Sequence, residues 1–286
     1  MMSRRMRTYY YAVLGAMGGL AGWVISNLLG LSFTPSLYVS EALVGSLIGL
    51  CVGVLIGAAE GLVTLNLVHA ARAGGFGALL GLLAGSVGLP LGELLFQSIG
   101  AGPVGRALGW ALFGLLIGLA EGVGGRSQIW KGALGGFAGG LVGGALLEGS
   151  RGWLANPLLG KAVGLILLGA SVGALIALIA VLLSRAWLEV VSGKLKGTEF
   201  ILDKFMKPGG PSAVLGSDAL KAEIALPDPD VAPQHAMLSG TGMHFVLKDM
   251  STSGTFVNSR RIELATLSDR QRIRLGNTEL VYHERR

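Results

Sequence analysis

Apolar residues fill the first two thirds of the chain in long runs, and in the last third they alternate with polar ones. Six runs, at about 9–30, 42–65, 74–98, 104–124, 132–149 and 162–184, carry few charges. A membrane-crossing helix needs roughly 20 mostly apolar residues, so these runs predict six spans. Short breaks divide them: Thr34-Pro35-Ser36, Arg72, Gly102-Pro103, Arg126-Ser127-Gln128, and Arg151 with Asn156-Pro157. The third and fourth runs are the least cleanly separated. The first run is long, has no Ala-x-Ala site behind it and precedes five others, so it reads as a span and not as a cleaved signal peptide.

Near Trp187 the pattern changes. Short segments bounded by Gly, Pro, Asp and Ser predict strands. They are Leu188–Val191, Glu199–Leu202, Ala213–Leu215, Glu223–Leu226, His235–Leu238, Met243–Leu247, Thr255–Asn258, Arg272–Leu275 and Glu279–Tyr282. No helix of useful length is visible among them. The expected architecture is an α-helical transmembrane bundle over residues 1–188, then an all-β sandwich over residues 189–286.

Composition sharpens that division. The 286 residues are 51% hydrophobic and 14% charged, with a mean hydropathy of +0.63; a soluble domain is about 25% charged, so the composition argues against an ordinary cytosolic enzyme. Residues 1–188 hold 39 of the 48 glycines, no Asp, and only the acids Glu41, Glu60, Glu93, Glu121 and Glu148. Net charge divides as +5 and +1 between the two parts. A single cysteine, Cys51, leaves no disulfide framework and no cysteine-based metal cluster.

Basic residues orient the spans, because positive loops stay in the cytoplasm. With the N-terminus inside, the inner segments carry Arg4, Arg5, Arg7, Arg72, Arg126, Lys131 and Arg185, and the outer loops carry Arg106, Arg151 and Lys161. That balance predicts a multi-pass protein of the cell (inner or plasma) membrane, with both the N-terminus and the C-terminal domain cytoplasmic.

The helical part repeats. Leu55-Ile56-Gly57-Ala58-Ala59-Glu60-Gly61 returns as Leu116-Ile117-Gly118-Leu119-Ala120-Glu121-Gly122, 61 residues on, and Gly74-Gly75-Phe76 returns as Gly135-Gly136-Phe137. We read three parallel two-span repeats. Glycines four apart (Gly45, Gly49, Gly53, Gly57; Gly77, Gly81, Gly85; Gly132, Gly136, Gly140, Gly144) stripe single helix faces. Such stripes allow close backbone packing in lipid, within the chain or between copies in a homo-oligomer.

Glu60, Glu121, Glu93 and Glu148 fall in or near the ends of the runs. Ionised carboxylates at bilayer depth are costly and face a partner or a wet cavity. They are therefore candidates for an intramembrane proton or cation site, with His69 or Arg72 beside Glu60 and Glu121. Snorkelling to the interface is the plainer reading. The runs contain no mid-span Lys or Arg to pair with them. There is no phosphate-binding Gly-x4-Gly-Lys-Ser/Thr loop, no hydrolase or kinase motif, and no metal-ligand spacing among the four histidines. The sequence thus points to no enzyme, cofactor, metal or nucleic acid.

A family resemblance rests on Val214-Leu215-Gly216, on Ile224 to Val231 followed by His235-Ala236, and on Phe245 to Asn258. Arg261-Ile262, Leu267, Ile273 to Gly276 and Leu280-Val281-Tyr282 complete it. The pattern resembles the forkhead-associated (FHA) domain over essentially all of residues 189–286. The resemblance implies a β-sandwich that recognises phosphothreonine peptides through the loops at one end. Gly216, His235, Gly254 and Thr255 match its scaffold, and Thr252 matches a position that can contact phosphate. Asn258 is retained as well. Three positions depart. Ser217 stands where the family has the arginine that grips phosphate, Ala232-Pro233 where it has Ser-Arg, and Ser253 where an asparagine holds the peptide backbone. The peptide surface is then Ser217, Ala232, Pro233, Thr252, Ser253 and Asn258 in degenerate form, and phosphothreonine dependence is in question. Lys221, Arg260 or Arg261 could supply charge from elsewhere, but nothing in the spacing shows it.

Two functions follow. In the first, the chain is a membrane-anchored interaction or signalling scaffold, whose FHA-like module docks a protein partner, threonine-phosphorylated or not, at the cytoplasmic face. The alternative is a small proton or cation channel or transporter regulated by that module.

Overall fold

In the computed structural model the six apolar runs form six helices. They are α1 (Arg4–Leu28), α2 (Leu37–Val63), α3 (Leu67–Ser98), α4 (Pro103–Gly124), α5 (Ile129–Trp153) and α6 (Pro157–Leu182). The structure describes residues 4–31, 36–63, 66–98, 103–124 and 129–285, and for residues 4, 5, 63, 103, 120–124 and 151 the backbone only. The breaks at Thr34-Pro35 and Arg126-Ser127-Gln128 lie outside the described residues. Among the described residues four helices are long and apolar enough to cross a bilayer, over Met6–Leu28, Leu37–Leu62, Leu67–Ser98 and Pro157–Leu182. In α4 the described apolar stretch, Val104–Leu119, is shorter, and α5 carries Lys131 and Glu148.

Helix starts follow local chemistry. Asn156 Oδ1 accepts the N–H groups of Leu158 (2.9 Å) and Leu159 (3.3 Å), and Asn66 Oδ1 accepts that of His69 (2.9 Å). Each asparagine thereby caps orphan donors of the first turn. Pro103 and Pro157 open their helices, where a missing N–H costs nothing.

Small residues set the helix contacts. A Cβ on Gly49 of α2 would run into the carbonyl oxygen of Gly81 in α3, so here only glycine permits the observed approach. Similar contacts join α1 to α2 (Gly18 on Val52), α3 to α4 (Gly92 on Gly109), α4 to α5 (Gly118 on Gly132), α5 to α6 (Gly139 on Val172), and α6 back to α1 (Gly169 on Gly15). The helices thus close a ring. Its core is an apolar cluster that includes Ile48, Val52, Ile56, Phe113, Ile117, Leu168, Val172 and Ile176. Large apolar side chains such as Met17, Phe76, Leu79, Leu83 and Leu158 are exposed.

A separate unit is built around Leu183–Arg286. It holds eleven strands: β1 (Ala186–Val190), β2 (Glu199–Ile201), β3 (Ala213–Gly216), β4 (Ile224–Ala225), β5 (Ala236–Gly240), β6 (Phe245–Asp249), β7 (Thr255–Val257), β8 (Arg260–Ile262), β9 (Leu264–Thr266), β10 (Arg272–Leu275) and β11 (Thr278–Glu284). They form a six-stranded sheet, β2-β1-β11-β10-β7-β8, and a five-stranded sheet, β4-β3-β5-β6-β9. The first strand begins at Ala186, ahead of the division expected at 188/189. Alternation buries one face of each long strand: Ala186, Leu188 and Val190 of β1, and Leu280 and Tyr282 of β11, join Leu215, Leu238, Phe245 and Leu247 in one core. Fully burying a side chain of this size contributes about 1.5–3 kcal/mol.

Two strands have no sequence-level expectation behind them. β8 and β9 are edge strands with mostly exposed residues, so neither shows the alternation of a half-buried strand.

Candidate functional site

Three loops meet at one end of the sandwich: the one that begins at Ser217 as β3 ends at Gly216, Ala232-Pro233 before β5, and Ser251 to Gly254 between β6 and β7. His235, fully buried, ties them together. The Ala232 N–H donates to His235 Nδ1 at 3.0 Å, which places the ring proton on Nε2. From there Nε2 faces Ser251 Oγ at 3.1 Å and the Gly254 carbonyl oxygen at 3.3 Å. The His235 N–H donates to the Leu215 carbonyl at 2.8 Å, and the Ser217 N–H to that of Ala232 at 3.0 Å. One imidazole and two backbone bonds therefore set the loops against one another.

Asp249, absent from the sequence-level site, stiffens the third loop. Its Oδ1 accepts the Ser251 hydroxyl (2.9 Å), the Ser251 N–H (3.1 Å) and the Thr255 hydroxyl (2.8 Å). Ser251 Oγ in turn accepts the Gly254 N–H at 2.9 Å. Burial by itself raises the Asp249 pKa, but the bonds from Ser251 and Thr255 outweigh it and hold the carboxyl below its ordinary value. The Asp-x-Ser spacing was visible in the motif; its role needed the fold.

This geometry leaves Thr252 and Ser253 exposed at the loop tip, with Pro233 exposed on the neighbouring loop. Arg261 of β8 reaches the same loop. One guanidinium N–H donates to the Thr252 carbonyl at 3.3 Å, and the group lies over Gly254, where an added Cβ would fall 2.6 Å from Nε. Gly254 has φ +86°, a conformation open to glycine. Five of the six expected surface residues thus sit on these loops: Ser217, Ala232, Pro233, Thr252 and Ser253. Asn258 sits elsewhere. It occupies the β7–β8 turn, at the other end of β7 from Gly254, with φ +48°. Its Oδ1 accepts the Arg272 N–H at 3.1 Å, so it pins that turn to β10.

The opposite edge of the β4–β5 segment has its own clamp. Asp228 Oδ1 accepts the Asp230 N–H at 3.0 Å, and Oδ2 accepts the Asn277 N–H at 3.0 Å and the Thr278 hydroxyl at 2.8 Å. Burial raises the Asp228 pKa, yet these bonds, with the charge of Lys194, bring it below normal.

The helical glutamates do not form one set. Arg7 Nη2 of α1 lies 3.8 Å from Glu60 Oε2 of α2, so the arginine paired with Glu60 is Arg7 and not Arg72, which is exposed. Glu121 lies in α4, but its side chain is outside the described residues. Glu93 and Glu148 line a cavity of about 150 Å³ together with Glu41, Arg106, Phe96 and Trp110. There Arg106 Nη1 is 3.1 Å from Glu148 Oε2, and Gln97 donates to Glu93 Oε1 at 2.9 Å. The cations that meet the glutamates are not mid-span: Arg7 and Arg106 lie near the starts of α1 and α4, and their long side chains reach Glu60 and Glu148 from there. Among the described residues, no group of three His, Cys, Asp or Glu side chains is placed to hold a metal ion.

The FHA-domain family model matches residues 213–276. The FHA domain of CT664 protein from Chlamydia trachomatis is 31% identical, and the alignment covers 36% of this chain and all of that one at a TM-score of 0.32. The FhaA FHA domain, solved in complex with the intracellular domain of Rv3910, is 28% identical over 34% of this chain and 99% of that one, TM-score 0.30. An FHA domain from work on phosphothreonine-dependent FHA interactions is 27% identical over 36% of this chain and 98% of that one, TM-score 0.31. A search of curated proteins finds no match.

Proposed function

The chain belongs, through residues 213–276, to the forkhead-associated family, and from that premise we propose that it is a membrane-anchored docking protein. The FHA domain binds a protein partner, and the helical unit holds it at the inner face of the membrane. The observation that carries this reading is the His235-centred assembly of three loops that leaves Thr252, Ser253 and Pro233 exposed on a stiff platform. A partner bound there meets little ordering cost on the protein side. Membrane anchoring is supported by the exposed apolar side chains of the helices, and the N-in orientation by the arginine and lysine balance. We take the boundary between the two functional parts to lie just before Ala186, and the helical part to have grown from three two-span repeats, whose glycine stripes meet neighbouring helices of the same chain and so are not the faces for a homo-oligomer.

Conduction through the glutamates has less in its favour. The helical core is apolar, and Glu60 and Glu148 each face an arginine.

The test uses the full-length protein in phosphatidylcholine nanodiscs, screened against phosphothreonine peptides, each paired with its unphosphorylated form. Binding of either form at micromolar affinity, lost in S253E with unchanged thermal unfolding, is expected. Binding that S253E leaves intact, or no binding by folded protein, removes the loop surface as the docking site.

A further inference from the structure

If partners dock on this surface as proposed above, the domain still lacks the cation that the family places beside Gly216, because this chain has Ser217 there. The fold carries a cation to the same loops from another strand. β8 pairs with β7 in the register Phe256 to Arg261, and β7 with β10 in the register Phe256 to Arg274. The three side chains therefore stand in one row on one sheet face. Arg274 lies over the Phe256 ring at 4.4 Å from its centroid. On the other side, Arg261 extends along β7 to Gly254 and Thr252.

Three features suit Arg261 to an anion. Its partner is a carbonyl, which orients a guanidinium without neutralising it, and among the described residues no carboxylate forms an ion pair with it. It is exposed, as are the Thr252 and Ser253 side chains beside it. And Gly254, with no Cβ, lets the planar group lie on the loop with further N–H donors to spare, the fork geometry that fits phosphate. The other nearby cations are less suited. Lys221 Nζ stands 3.8 Å from Asp218 Oδ2. Arg260 is paired with Val257 beside the Asn258 turn, at the far end of β7, and alternation turns it to the opposite face from Arg261.

We propose that Arg261 is the cation that receives the phosphate of a phosphothreonine peptide, with Thr252 and Ser253 beside it, in place of the arginine that Ser217 replaces. The position came from the other side of the domain in sequence, 44 residues beyond Ser217, and only strand pairing brings it to the loops.

The same nanodisc assay decides it, read as the affinity ratio between phosphorylated and plain peptides. Wild type is expected to prefer the phosphorylated form. R261Q should lose roughly 10- to 100-fold in affinity for it, the weight of charge-assisted hydrogen bonds, and no affinity for the plain form. R261K should recover part of the loss, and R272Q should stay within about twofold, since Arg272 is bonded through its backbone to the Asn258 turn, at the other end of β7 from the site. Phosphopeptide binding by R261Q equal to wild type overturns the assignment. So does equal binding of the two peptide forms by wild type, which leaves the docking surface itself standing. No binding of any peptide by folded wild type removes both.

Discussion

His235 Nε2 stands 3.1 Å from the hydroxyl of Ser251, and through that contact a buried ring on β5's leading edge governs a loop that follows β6. The hydroxyl keeps its bonds to Asp249 and Gly254 without the ring, but loss of the ring takes away the bonds it makes to the Ala232 N–H and the Gly254 carbonyl. H235A should destabilise the FHA domain by about 2–4 kcal/mol, from unmet hydrogen bonds and a cavity. Hydrogen exchange should rise first at Ala232 to His235 and Ser251 to Gly254. Uniform exchange across both sheets would show that His235 is ordinary core filling.

Gly254→Ala places a Cβ at φ +86° and against Arg261. A cost of about 1–3 kcal/mol is expected from the backbone alone. In addition the guanidinium must leave the loop, so phosphopeptide affinity should fall further than stability does. Equal loss of both measures would separate Arg261 from the site.

Acid should loosen the sandwich. Asp228 and Asp249 both have folded-state pKa values below the ordinary one, since their hydrogen bonds outweigh burial. A depressed carboxyl contributes stability that is present above the unfolded value, near ~3.9. That contribution is lost as pH falls through the lower folded value. Exchange protection of β5 to β7 and of the β10–β11 turn should therefore hold down to about pH 4 and fall below it. D228N should flatten the fall at the turn alone.

In the helical unit, Gly49→Val should be far worse than a change at Gly75, whose added Cβ meets nothing within 4 Å. The branched side chain must part α2 from α3, costing about 1–3 kcal/mol or more for overpacking. Thermal unfolding in detergent, with G75A as the reference, checks it.

Cys51 is the single cysteine and is buried, which gives a quiet background for topology. A cysteine introduced at exposed Gln234 should react with a membrane-impermeant maleimide in inverted vesicles and stay unreacted in intact cells. Reaction in intact cells would reverse the orientation read from the basic residues.

Much of the architecture was legible in the chain because burial leaves a period. Apolar runs of bilayer length became α1 to α6, and alternation marked β1, β10 and β11. The loop motif around Gly216, His235 and Gly254 named the family, since its residues are needed one by one where they stand. β8 and β9 escaped notice because edge strands bury too little to show a period. The sequence alone could therefore determine elements, order and family, which depend on local pattern. What only the tertiary structure decided was partnership: Arg7 with Glu60, Arg106 with Glu148, His235 with Ser251, and Arg261 with Gly254. Each of these pairs is made between different elements, where packing and register set the distance and no spacing along the chain records it.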